Sequence, residues 1–269
     1  MQVHGLGYVI NRALNVGFLK RYSDDYFKLV HMRSVRIAGL EDRNPTPQIR
    51  RSGTMAQKME SSLSRSRCAV WDLALCNSWD YFVTLTLDKS KRDRNDLNGT
   101  YKGLAKFFNN FNSRTDADLK YLLIPEPHKD GAWHFHALFS GLPLHHLQPF
   151  SLEDNIPQRL KDMLREGRTI YSWPAYAAAF GFVTLEPIID PERCASYMTK
   201  YITKELGKSS IELNHHLYYC SKGLRRPELE YTGDMLRAFD SPDFENDFVR
   251  VKRLNDISEA MSYFCDMEE

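Results

Sequence analysis

Apolar residues Met55, Met59, Leu63, Val70 and Leu73 recur at near-helical spacing, and Cys76-Asn77-Ser78 supplies a stop, so a helix is expected over about residues 52–75. The period then changes to two. Tyr81, Val83, Leu85 and Leu87 fall on one face of a strand and Phe82, Thr84 and Thr86 on the other, which is the more polar face. Leu97 to Phe111 reads as a helix with Leu104, Phe107, Phe108 and Phe111 inward, and Leu119–Pro125 and Trp133–Phe139 read as strands. Residues 143–168 read as an insertion with a helix around Gln158–Arg165. Beyond it, Gly181–Ile188 is expected as a strand, Pro191 suits the first turn of a further helix, and Leu217–Cys220 is expected to return as an edge strand. Strand, helix, strand, strand in that order predicts an α+β fold, a central antiparallel sheet with helices on one face. Asn44-Pro45-Thr46-Pro47 is a natural break. The expected organisation is therefore a basic segment 1–50 packed on a main domain 51–228, followed by an acidic segment 229–269.

Composition changes this picture only in part. A chain of 269 residues with 42% hydrophobic content can bury a real core. No stretch approaches the roughly 18 uninterrupted apolar residues of a spanning helix, and the first residues lack a basic signal-peptide start, so no membrane association and a cytoplasmic location are expected. Five cysteines with no Cys-x-x-Cys pair exclude a disulfide framework or zinc ribbon as the organising principle. The net charge of +1 conceals a gradient: residues 1–70 carry twelve Lys or Arg against five Asp or Glu, and residues 228–269 carry twelve acids against four bases. The basic end is the better candidate for nucleic acid, although charged helix faces are a commoner use of such residues.

Two stretches carry candidate chemistry. In Trp133-His134-Phe135-His136-Ala137 the strand period points His134 and His136 at one small volume, where a divalent metal could sit, while Phe135 points into a core. In Tyr197-Met198-Thr199-Lys200-Tyr201-Ile202-Thr203-Lys204, helical spacing stacks Tyr197, Lys200, Tyr201 and Lys204 along one face. Phenols interleaved with ammonium groups suit phosphate chemistry, because a phenol with a pKa near 10 needs neighbouring positive charge to act as a nucleophile. His145-His146 and His215-His216 are adjacent pairs, whose rings point apart in a strand, and are expected to be structural or superficial. Gly207-Lys208-Ser209 resembles the end of a phosphate-binding loop, but position 202, where that loop requires glycine, is isoleucine.

In order along the chain, Tyr81 to Asp88, the His-x-His strand and the tyrosine-lysine helix resemble the signatures of the HUH endonucleases, specifically rolling-circle replication initiators of the two-tyrosine phage and plasmid type. The resemblance spans roughly residues 60–228 and includes Cys76-Asn77 and Tyr219-Cys220-Ser221-Lys222-Gly223. It implies a ferredoxin- or RRM-like sheet and metal-dependent nicking and joining of single-stranded DNA at a replication origin through a 5′-phosphotyrosine. The implied metal is magnesium or manganese, and the implied unwinding partner is a host helicase. The family's third ligand usually comes from the neighbouring strand, where Glu126 is the candidate. A three-residue loop Asp130-Gly131-Ala132 would set Glu126 opposite His136 and His128 opposite His134, whereas a two-residue turn would put Glu126 on the wrong face. Which of Tyr197 and Tyr201 acts first is left open. Two alternatives stand beside this reading: an HUH transposase or relaxase, and a non-catalytic single-stranded nucleic-acid-binding module.

Overall fold

The computed structural model describes residues 3–4, 8–11, 14–36, 55–128, 130–203, 206–207 and 216–264. The Asn44–Pro47 break, Lys204, His215 and Cys265 lie outside them. The described elements begin with β1 (Val3–His4), β2 (Tyr8–Ile10), β3 (Val16–Ser23), β4 (Tyr26–Met32) and β5 (Ser34–Arg36). They continue with α1 (Met55–Leu75), β6 (Tyr81–Thr86), α2 (Leu97–Arg114), β7 (Lys120–Pro127), β8 (Trp133–Ser140), β9 (Gln148–Pro149), α3 (Gln158–Arg165), β10 (Tyr171–Ser172), α4 (Pro174–Ala179), β11 (Val183–Pro187) and α5 (Pro191–Lys200). Last come β12 (Tyr219–Cys220), β13 (Glu228–Asp234), β14 (Phe244–Glu245), β15 (Val249–Leu254) and α6 (Ile257–Met261). The chain divides into two compact units, one of residues 59–225 and one built from both ends, residues 1–58 with 226–269. No helix among the described residues is long and apolar enough to cross a membrane.

The unit of residues 59–225 is α+β around a seven-stranded antiparallel sheet in the order β12-β7-β8-β6-β11-β10-β9. Strand period explains its two faces. Val83, Leu85, Phe135, Ala137 and Phe139 are fully buried on one side, where α2 sets the Phe108 ring 5.0 Å from Tyr121 and 5.5 Å from Phe139. Trp173, Tyr176 and Phe180, on and beside α4, extend that packing through Phe107 of α2. Asp96 caps α2 by accepting from the Gly99 N–H, which satisfies one of the helix's orphan donors. The other face carries Phe82, Thr84, Thr86, His134, His136 and Leu138, and α5 covers part of it, with Tyr197 against Phe82 at 5.4 Å. Helices therefore flank both faces, not one as the element order suggested. The physical reason is that Phe82, Ile124 and Leu138 leave apolar area on the histidine side that also has to be shielded from water. Tyr219–Cys220 returns as the edge strand beside β7, as expected, and the Tyr121 N–H donates to Ser221 Oγ at 2.9 Å.

The terminal segments, expected as separate appendages, share one sheet. The β3–β4 hairpin lies in the middle of the antiparallel order β13-β3-β4-β15-β14, so strands from the C-terminal end pair with both outer edges of an N-terminal hairpin. Leu19, Phe27, Leu29 and Leu254 from the sheet bury against Met235, Phe239, Ala260 and Phe264. The charge gradient is partly spent inside this unit, since Arg21 pairs with Glu230 and Arg33 with Glu245. A second antiparallel sheet in the same unit has the order β1-β2-β5.

Candidate functional site

The hairpin between β7 and β8 determines which side chains can meet. It closes between His128 and Ala132: the His128 N–H donates to the Ala132 carbonyl at 2.8 Å and the Gly131 N–H to the His128 carbonyl at 3.0 Å. Gly131 has φ of 82°, a left-handed conformation that glycine adopts without a Cβ penalty. The Ala132 N–H donates to Asp130 Oδ1 at 3.1 Å. The resulting register sets Glu126 opposite His134 and Ile124 opposite His136. The wrong-face register of a two-residue turn is not adopted, and the pairing that an Asp130–Ala132 loop would give, Glu126 with His136 and His128 with His134, is displaced. The displacement is two residues, and because side chains alternate with period two, Glu126 and both histidines still share a face. Glu126 reaches His136 diagonally, with Oε2 2.8 Å from Nε2.

Strand β6 orients the two imidazoles. Thr86 lies opposite His134 and Thr84 opposite His136, and their hydroxyls face the Nδ1 atoms at 3.2 Å and at a longer 3.5 Å. With Nδ1 engaged on each ring, Nε2 is the nitrogen left to act toward the site, an arrangement that outer partners of metal-bound histidines commonly enforce. Burial, followed by the neighbouring His128 and His136, holds the His134 pKa below the ordinary imidazole value, which keeps that ring neutral with a lone pair available. The His136 hydrogen bond holds the Glu126 carboxyl below its usual range, outweighing partial burial that raises it. His128 stacks on His134, with ring centroids 4.1 Å apart. Two imidazoles and an ionised carboxylate are a donor set that fits a divalent cation, and the Thr contacts fit the tautomer such binding needs.

The tyrosines come from α5, whose start is well specified. Asp190 caps it by accepting from the Arg193 N–H at 2.9 Å, and Pro191 occupies the first turn as expected. The helix ends at Lys200, and Tyr201 is its cap. The two phenols have unequal surroundings. Tyr201 stacks on His136 at 3.6 Å. Burial, together with hydrogen bonding to Tyr197, pushes its pKa up, and the charge of Arg159 from α3 works against that rise. Tyr197 is 41% exposed, 5.3 Å from Tyr201 in an edge contact, with Lys200 Nζ 5.6 Å from its ring centroid. Tyr197, Lys200, Tyr201, His134, His136 and Glu126 thus collect on one side of the sheet, and Lys204 is outside the described residues.

Sequence reading missed several neighbours. It placed Thr84 and Thr86 on a polar face, but their role as imidazole partners depends on the β6–β8 register, which no local pattern encodes. It also missed His145 and His146. In a strand these rings would diverge, yet here they lie on a 3₁₀ turn, Leu144–His146, at 4.2 Å separation, both facing Asp116. Among the described residues, Asp116, His145 and His146 form a candidate metal-binding group whose donor atoms all fall within 4.8 Å of one another. The donors of His134, His136 and Glu126 do not form such a set.

The comparisons with known proteins bear on the same stretch. No curated protein and no solved structure matches the chain. Residues 80–206 match a family of replication-associated proteins, the one described under the label ORF2. The matched region opens at β6, contains the histidine hairpin and closes just after the tyrosine pair. The likeness is to replication-associated proteins and covers just under half of the chain.

Proposed function

We propose that this protein is a metal-dependent HUH-type endonuclease that nicks and rejoins single-stranded DNA at a replication origin, starting rolling-circle replication. One observation carries the reading: the tyrosine of a capped helix lies ring to ring on a histidine of the His-x-His strand, and that histidine is bonded to an acid from the next strand. Sequence neighbours do not explain this meeting of three separate elements.

His134, His136 and Glu126 would hold the divalent ion, magnesium or manganese, whose chemistry when bound is to draw charge from the scissile phosphate. Tyr197 is the better placed nucleophile, because it is exposed and has the Lys200 ammonium beside it, whereas Tyr201 is held protonated by burial. Its phenolic oxygen bonds to phosphorus as the bond to the 3′ oxygen breaks. The phenol loses its proton and the departing oxygen gains one, which leaves a free 3′-hydroxyl and a 5′-phosphotyrosine. One phosphoester replaces another, so a 3′-hydroxyl can reverse the step without ATP. Tyr201 would serve the second transfer once DNA has displaced it from His136. Lys204 would assist Tyr201 as Lys200 assists Tyr197. A host helicase would supply unwinding, in a cytoplasmic setting.

The test is SDS-resistant adduct formation with a randomised single-stranded DNA pool and manganese. Wild type should form adducts, Tyr197→Phe should lose most of them, Tyr201→Phe should retain them, and the double variant should form none. Adducts surviving in the double variant would sink the reading. Retained DNA binding with no adduct under any metal would favour a non-catalytic binding module.

A further inference from the structure

We propose that Asp116, His145 and His146 form a second metal site, able to take a zinc-class ion and separate from the nuclease centre. His146 Nε2 lies 2.8 Å and His145 Nε2 3.3 Å from the same oxygen, Asp116 Oδ1. A 3₁₀ turn sets successive side chains about 120° apart, where a strand would set them about 180° apart, and from this turn both rings reach Asp116. Here the Leu147 N–H closes the turn on the Leu144 carbonyl at 2.9 Å. The site is also backed. The His146 ring rests edge-on against Phe111 of α2 at 4.9 Å, and Phe111 is held by Trp173 at 5.0 Å. His146 is therefore largely covered, while the Asp116 and His145 side chains are 60% and 63% exposed, which leaves water free to complete the coordination.

Two imidazoles with one carboxylate and open positions are a donor set that zinc accepts. Location separates the two centres, because α2 packs on the sheet face opposite His134 and His136. An ion held here would tie the start of the 143–170 segment to the end of α2, acting as a structural clip.

The experiment is calorimetric titration of zinc into the metal-stripped full chain carrying Glu126→Gln, compared with the same chain also carrying His145→Ala and His146→Ala, or Asp116→Asn. The parent should bind zinc and melt at a higher temperature with it. The histidine variant should lose one equivalent and the thermal shift, and the conservative Asp116→Asn should weaken binding at least about tenfold, the scale on which metal-site partners act. Equal zinc uptake and an equal shift in all three would overturn the proposal. The tyrosine adduct assay does not depend on this result, so the two readings fail separately.

Discussion

Among individual side chains, the threonines of β6 are as informative as the histidines they face. Thr86→Ala removes the hydroxyl 3.2 Å from His134 Nδ1 and frees the ring to rotate or change tautomer. On the nuclease reading this should raise the manganese concentration needed for half-maximal adduct formation by about 10–100-fold, with little change in DNA binding. An unchanged metal requirement would leave Thr86 a packing residue. The cysteines give a simpler test. Burial, with Asp190 and Glu186 nearby, pushes the Cys194 thiol up to about 12, so it stays protonated throughout the neutral range, whereas Cys68 is exposed. Alkylation at pH 8 mapped by mass spectrometry should therefore modify Cys68 first and spare Cys194, because only the thiolate reacts.

Where strands and helices join, the loop into β11 shows why one glycine is required. Gly181 has φ of 145°, and a Cβ there would lie 2.5 Å from the Asp88 nitrogen and 2.6 Å from the Thr86 carbonyl oxygen. That crowding falls at the end of β6, where the Thr86 N–H donates to the Phe182 carbonyl at 2.8 Å. Gly181→Ala should cost about 1–3 kcal/mol in denaturant unfolding, the range for a strained backbone position. It should also lower adduct formation by shifting Thr86. The α5 cap offers a milder case: Asp190→Ala should cost about 1 kcal/mol and fray the helix start, while the fold persists.

Across the full chain, the unit built from both ends should depend on strands from each. Removing residues 226–269 takes β13 and β15 from the two edges of the β3–β4 hairpin, and an isolated hairpin is marginal in water. Hydrogen exchange of residues 16–32 should accordingly be slow in the full chain and fast in the shortened one; slow exchange in both would mean the hairpin holds alone. This pairing was not legible from sequence, because the two end segments are marked there only by their charge, with no strand assigned, and pairing joins segments far apart in the chain. The same limit applies at the candidate site. Local patterns were sufficient for α1, β6, α2, α3, the histidine strand and the start of α5, since each depends on side-chain period, a cap or a proline within a few residues. They also placed His134 and His136 on one face, and Tyr197 and Tyr201 one turn apart. Only the tertiary structure decided that Glu126 bonds His136 from a register that neither candidate loop gives, that Tyr201 and not Tyr197 lies on His136, and that His145 and His146 converge on Asp116. Periodicity is a property of one segment and can be read along the chain, whereas register, stacking and convergence are set by packing between segments that the chain order leaves far apart.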